Sequence, residues 1–238
     1  MLNFKQFISE AGQESGKLEL VKTDVRKAEE YARKKMYENG LDLDKEIPNF
    51  IDNYNIAKMS ASGGYTQRKD MPVIDAKDIT DFQKRLEKGF IDYNKPFEKH
   101  TDPNEKFPKT LNAKTGKMWL TAGEKDGNKS DDNIPVKNKK VKVSELRPIQ
   151  QQIYFDKSLD SIADNGGAAD SKGFIGSKKT TFIVSSDNYI IDGHHRYLAG
   201  ILIDPNIKVN CMVIDMPIND LLPASLSYSD AVGNKRNS

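Results

Sequence analysis

The run from Thr180 to Leu202 constrains this chain more than any other. Thr180-Thr181-Phe182-Ile183-Val184-Ser185 is β-branched and apolar, the pattern of a buried strand. Ser186-Asp187-Asn188 has turn chemistry, and Tyr189-Ile190-Ile191 returns as the second strand of a hairpin. After Asp192-Gly193 a helix is predicted over 194–202, stopped by Asp204-Pro205-Asn206. A further strand is predicted over 209–214, closed by Met216-Pro217, and a helical stretch through Leu221, Leu222 and Ala224 runs to Val232. Strands gathered late in a chain that begins with helices make the expected class α+β.

The first hundred residues read as mostly helical. Leu18, Val21, Val25, Ala28, Ala32 and Met36 recur every three or four positions, and Asn39-Gly40 supplies a stop. A second helix is predicted from Pro48 with Phe50, Ile51 and Tyr54 on one side, broken by Ser60-Ala61-Ser62-Gly63-Gly64. Asp78 is placed to cap a third, bearing Ile79, Phe82 and Leu86 and ended by Gly89. Between 101 and 140 periodicity fades into Lys, Asn, Asp, Gly, Thr and Pro, with Met118-Trp119-Leu120 as the one apolar anchor, so a linker or long loop is expected there. Lys137 to Lys142 is either a phosphate contact or the solvated edge of a strand, where lysine discourages further pairing. Pro148 is expected to start a helical pattern through Ile149, Ile153, Leu159 and Ile162, broken near Phe155-Asp156 and ended by Gly166-Gly167. The organisation that follows is a segment at 1–10, a helical region at 11–100, the linker at 101–140, a compact domain at 141–216 and a C-terminal helix and tail at 217–238.

Composition excludes several classes. One cysteine, Cys211, rules out an internal disulfide or a cysteine-rich zinc site. The 37 Lys and Arg nearly balance the 35 Asp and Glu, so net charge does not select a nucleic-acid or membrane partner. No apolar run approaches the roughly 20 residues that cross a bilayer, so a soluble protein with no membrane partner is expected.

The chemistry concentrates in Asp192-Gly193-His194-His195-Arg196. A glycine between strand and helix permits a sharp turn and close ligand approach, and the helix start presents free N–H groups beside the positive end of its dipole, a place that binds phosphate. Arg196 offers a planar fork matched to phosphate oxygens. His194 and His195 can donate hydrogen bonds or shuttle protons near neutral pH, and Asp192 can hold a metal ion or orient an imidazole. Each residue also has a plain structural reading: Asp-Gly as a turn, one histidine facing the core, an arginine on the surface. Their concentration at one strand-to-helix junction favours a site. A zinc centre is disfavoured because adjacent histidines diverge by about 100° on a helix. Neither a Gly-x-Ser-x-Gly elbow nor a Gly-x-x-x-x-Gly-Lys-Ser/Thr loop occurs. One further stretch, Gln67-Arg68-Lys69-Asp70-Met71-Pro72-Val73-Ile74, either folds back with Arg68 as a second phosphate contact or is a loop entering a strand.

Two resemblances follow from these residues. Leu146-Arg147-Pro148-Ile149-Gln150 through Phe155-Asp156, Leu159, Ser161-Ile162 and Gly166 resembles the opening box of the ParB N-terminal domain. Phe182-Ile183-Val184, Asp187, Tyr189, Ile191, then Gly193-His194-His195-Arg196 and Ala199, resembles its second box, in the spelling closest to free-serine kinases. The resemblance implies a ParB/sulfiredoxin-like small mixed sheet with flanking helices. It implies nucleotide-phosphate contacts at Gly193, His195 and Arg196, a contribution from Gln150, and catalytic roles for Asp192, His194 and His195. It also implies Mg²⁺ at Asp192 with a nucleoside triphosphate, ATP or CTP. Two departures matter. His194 stands where sulfiredoxins carry their catalytic cysteine, which excludes that chemistry. Gln150 stands where the serine kinases place a glutamate base, and a glutamine cannot accept that proton. No helix-turn-helix module follows the domain.

Phe4-Lys5-Gln6-Phe7-Ile8-Ser9-Glu10-Ala11 resembles the leader of internal head proteins of T-even-type phages; its other reading is a short fraying helix. The resemblance implies a prohead scaffold partner, a maturation protease cutting between Glu10 and Ala11, and residence in the virion head before the host cytoplasm; without a leader the expected place is the cytoplasm. Three functions stand in order: Mg²⁺-dependent phosphoryl transfer or nucleotide hydrolysis, a ParB-like nuclease acting on DNA, and a non-catalytic phage structural or ligand-binding protein.

Overall fold

The computed structural model describes residues 18–92, 117, 119–125, 127 and 133–234. The leader expected at residues 1–10 lies outside them. Helix α1 is Val25–Glu38, α2 Leu43–Glu46, α3 Phe50–Ala61 and α4 Ile79–Glu87. Strand β1, Val136–Lys142, and β2, Arg147–Pro148, are followed by α5, Phe155–Asp164, and α6, Ala168–Ile175. Then come β3 Phe182–Val184, β4 Tyr189–Asp192, α7 His194–Ile203, β5 Lys208–Ile214 and α8 Ile218–Ala231. The fold is mixed α+β, with a five-stranded open sheet in the order β1-β5-β3-β4-β2. The β1–β5 and β3–β4 pairs are antiparallel, and β3–β5 and β2–β4 are parallel.

Alternation along the strands divides the core in two. Phe182, Val184, Ile190, Val209 and Cys211 face one side and pack with α1, α3, α5 and α7. Ile183, Ile191, Met212 and Ile214 face the other and pack with Phe82 and Leu86 of α4 and with Leu221 and Tyr228 of α8. Helices α1 to α3 therefore share one apolar cluster with the sheet: Phe155 of α5 meets Phe50 and Tyr54 of α3 edge-on, at ring separations of 5.9 and 5.6 Å. Trp119 and Leu120, the anchor expected in the linker, are buried in the second cluster. No helix among the described residues is long and apolar enough to cross a membrane.

Three local expectations differ from the structure. Helix α1 begins at Val25, capped by Asp24, whose side chain accepts from Arg26 N–H, and not near Leu18. Residues 18–20 instead pair with the segment before α5: Leu20 N–H donates to Ile153 O and Phe155 N–H to Leu18 O. Pro148 does not start a helix; it lies in edge strand β2, where its missing N–H does least harm, and Arg147 N–H donates to Asn188 O. The helix starts only at Phe155. The lysine run forms a whole strand, β1, at a sheet edge, beginning at Val136 inside the stretch expected to be linker.

Candidate functional site

Gly193 sets the geometry of the junction. Its φ of 117° and ψ of 14° lie where L side chains are strained, and an added Cβ would stand 2.5 Å from the Phe182 ring. The chain thus leaves β4 at Asp192 and enters α7 at His194 within one residue. Gly64 makes a second close approach, where a Cβ would meet Gln150 O at 3.0 Å and Ile149 O at 3.1 Å. That proximity lets Tyr65 N–H and Thr66 N–H donate to Ile149 O, while Gln151 N–H donates to Thr66 O. The segment after α3 is thereby laid against the segment that carries Gln150.

Between them opens a cleft of about 420 Å³. It is lined by Arg68, Gln150, Asp192, His195 and Arg196 and by residues 71–76, among them the apolar Met71, Pro72, Val73 and Ile74 and the acidic Asp75. The volume falls in the range of small-molecule sites, roughly 300–1,000 Å³. The five residues 192–196 thus line one cleft, and Gln150 joins them. Arg68, which the sequence left between a loop residue and a phosphate contact, joins them too. It sits on a single 3-10 turn, Arg68–Asp70, and no strand follows it. None of the lysines of β1 lines the cleft.

The two histidines are held in different ways. His194 is buried, and its Nε2 accepts from Ile149 N–H at 3.3 Å and Gln150 N–H at 3.2 Å. Burial holds its pKa down to about 3, and His195, Arg196 and Arg68 add positive charge that further opposes protonation. The ring is neutral with its proton on Nδ1, and it clamps the chain after β2 to the start of α7. His195 is half-buried; its Nε2 accepts from Tyr154 N–H at 3.3 Å, and Arg68 Nη1 lies 3.5 Å away. Burial, then the charges of Arg68 and Lys157, bring its pKa down to about 3 as well. Both imidazoles expected to shuttle protons are therefore neutral near pH 7, with Nε2 engaged.

Arg196 donates to Asp192 across the strand-to-helix junction, and its guanidinium lies 5.2 Å over the Phe182 ring. Burial raises the Asp192 carboxyl above the usual carboxylate range; the charge and hydrogen bond of Arg196 and the Gly193 N–H pull the other way. The Asp192 side chain nevertheless remains 41% exposed, so this crowded carboxylate still opens to the cleft. Gln150 is buried, and its side-chain amide donates to Gln152 O.

No family model matches this chain, and neither the curated proteins nor the solved structures contain a match to it.

Sequence reasoning missed Tyr154, whose ring lies under Arg68 at 5.3 Å and near-parallel to His195 at 6.2 Å. It missed Gln152, whose Oε1 accepts from Arg68 N–H at 2.6 Å; the stretch Gln67 to Ile74 folds back on the cleft, one of the two readings the sequence offered for it. Nothing periodic marks these residues; the long-range pairing of 65–66 with 149–151 assembles them. As to metal, no group of three or more His, Cys, Asp or Glu among the described residues is placed to hold an ion. Mg²⁺ commonly takes one or two carboxylates and completes its shell with water and substrate phosphates. Asp192 fits that role beside a phosphate, whereas the donor set does not fit a cage made by protein alone.

Proposed function

We propose that this chain is a nucleotide-phosphate-binding enzyme of the ParB/sulfiredoxin-like kind, which hydrolyses a nucleoside triphosphate or transfers its terminal phosphoryl group. The observation that carries the reading is the Gly193 junction, where Arg196 and the N–H groups opening α7 border the cleft. The hairpin β3–β4, the glycine, α7 and then β5 parallel to β3 support membership of that superfamily. Phosphates lie at the Arg196 end and the base packs on Met71, Pro72 and Val73. Bound Mg²⁺ would neutralise phosphate charge, held by Asp192 together with the phosphate oxygens. Arg196 moves its hydrogen bonds from Asp192 to the phosphate, and His194 keeps Gln150 and α7 in register. Gln150 has no lone pair basic enough to take a proton, and Nε2 of each histidine is already engaged. The chain's contribution is then positioning and charge, which suffices for a loose phosphoryl-transfer transition state.

The test is thermal stability with Mg²⁺ and a panel of ATP, CTP, GTP and ADP, with Arg196→Ala beside the parent. A nucleotide at 100 times its Kd stabilises by about 2.7 kcal/mol, a rise in Tm of roughly 5–10 °C for a chain this long. The reading predicts that one nucleotide gives this rise and that Arg196→Ala loses it; no rise with any nucleotide ends the proposal. A second reading, a non-catalytic binding module, is favoured by the engagement of both imidazoles at Nε2. It predicts the same shift with no turnover of the nucleotide. The leader resemblance adds packaging in a phage head, and cleavage after Glu10 in virion-derived protein tests it.

A further inference from the structure

The cleft has a cation that no part of the strand–glycine–helix junction supplies. Arg68 reaches it from the far side of the chain, on the 3-10 turn that follows α3. Its backbone is fixed by the hydrogen bond to Gln152 and its guanidinium is stacked 5.3 Å over Tyr154, with Nη1 3.5 Å from His195 Nε2. A guanidinium laid on a ring and beside a ring nitrogen is oriented before any ligand arrives. Arg196 is likewise oriented over an aromatic ring, that of Phe182, and by its hydrogen bond to Asp192. The charges acting on His194 and His195 are all positive: Arg68 bears on both, Arg196 on the first and Lys157 on the second. Two preorganised forks thus border one cavity, together with the Asp192 carboxylate that pairs with Arg196.

We propose that Arg68 and Arg196 form a two-sided clamp on one terminal phosphate group, which makes the ligand a phosphomonoester or nucleotide and not an internal phosphodiester. This rests on the reading that the cleft takes phosphate. A terminal phosphate carries three free oxygens and close to two charges, enough to satisfy two forks on separate faces. A diester carries two free oxygens and one charge, and its chain must leave the site at both ends. Here residues 71–76 line the same cleft as the forks, whereas the basic strand β1, the natural track for a nucleic-acid backbone, does not line it.

The experiment is calorimetric titration of the full chain with AMP, ATP and inorganic phosphate, each with and without Mg²⁺. A short single-stranded oligonucleotide without terminal phosphates is the comparison. Arg68→Gln, Arg68→Lys and Arg196→Ala are measured beside the parent, and far-UV circular dichroism confirms that each is folded. The clamp predicts that Arg68→Gln and Arg196→Ala each weaken the phosphate ligands roughly ten- to hundredfold, as loss of a charged hydrogen-bonding partner does. Arg68→Lys, which keeps charge but not the fork, restores only part, and the oligonucleotide binds weakly to all. If Arg196→Ala abolishes binding and Arg68→Gln leaves it unchanged, the clamp is refuted while the phosphate reading stands. If the parent binds none of the phosphate ligands, both fall. Tighter binding of the oligonucleotide than of AMP and ATP refutes the terminal-phosphate class and points to the nuclease.

Discussion

Replacing Gly193 by alanine is the sharpest test of the junction. Two costs can be worked out from the structure. At φ 117° an alanine sits in sparsely populated backbone space, a strain of about 1–3 kcal/mol. Its Cβ would also stand 2.5 Å from Cδ1 and 2.8 Å from Cε1 of Phe182, so the ring must move. Phe182 is fully buried in the first apolar cluster and carries the Arg196 guanidinium on its face, so the ring has little room, and overpacking costs about 1–3 kcal/mol. Stiffening of the unfolded chain offsets about 0.4–1 kcal/mol. The net expectation is a loss of about 2–5 kcal/mol, read by urea denaturation at unchanged m-value. Phe182→Leu in the same background separates the two terms: if the clash contributes, the double variant loses less than the sum of the singles. A loss below about 1 kcal/mol for Gly193→Ala would refute the strain and close packing assigned to this turn.

The other expectations are simpler. His194→Ala leaves the Ile149 and Gln150 N–H groups buried without their acceptor and should cost about 2–5 kcal/mol in the same assay; a neutral result would remove the clamp role. Burial pushes the Tyr54 hydroxyl up to about 12 from 10.0. The unfolded state loses this proton first as pH rises, so stability is intact below pH 10 and falls between 10 and 12, by about 2–3 kcal/mol in all. Tyr54→Phe should flatten that alkaline slope, and an unchanged slope would count against it. Asn234 Nδ2 donates to Val73 O at 2.8 Å and to Asp78 Oδ2 at 3.0 Å, holding the cleft wall. Asn234→Ala should weaken nucleotide affinity more than its stability cost of about 1–2 kcal/mol suggests; affinity that is unchanged in a titration would show the wall to be held otherwise. Phe155→Ala removes the ring between Phe50, Tyr54 and Tyr31 and should cost about 3–5 kcal/mol by urea melt, whereas a loss under 2 would mean that α3 and α5 do not share a core as described.

What was legible in the sequence was local. The β3–turn–β4 hairpin, the glycine, α7 and its stop at Asp204 each rest on residues within a few positions of one another, and the structure places them where the pattern did. The candidate residues 192–196 were legible for the same reason. What was not legible depends on partners far along the chain. Apolar spacing alone carried α1 back to Leu18, because nothing near Leu18 and Leu20 shows that their backbone groups are taken by Phe155 and Ile153. Ile149 and Ile153 have helical spacing, yet the chain between them is not helical, since Ile149 O is occupied by Tyr65 and Thr66 and the Gln150 N–H by His194. The same pairing that defeated the helix assignment buried Gln150 and brought Arg68 to the site. The histidines show a related limit: residue type suggested proton shuttles, and only burial and neighbouring cations, invisible in the sequence, hold them neutral.

Under the proposed phosphate reading, the Asp192–Arg196 pair sets the selectivity of the cleft. Before a ligand arrives, a half-buried guanidinium with 26% side-chain exposure is compensated by a carboxylate four residues earlier, so the junction does not carry an unpaired charge. Any anion that binds Arg196 must compete with that carboxylate, which is tethered and therefore present at high effective concentration. A singly charged anion gains little from the exchange, because it replaces one charge with another and loses its own hydration. A phosphate group gains more, since it brings nearly two charges and oxygens enough for Arg68, Arg196 and the N–H groups opening α7 together. The displaced carboxylate is then left beside the phosphate, a juxtaposition that a divalent cation relieves. Metal and phosphate are thus expected to bind with positive coupling at this junction, each weak alone, because neither satisfies both members of the pair.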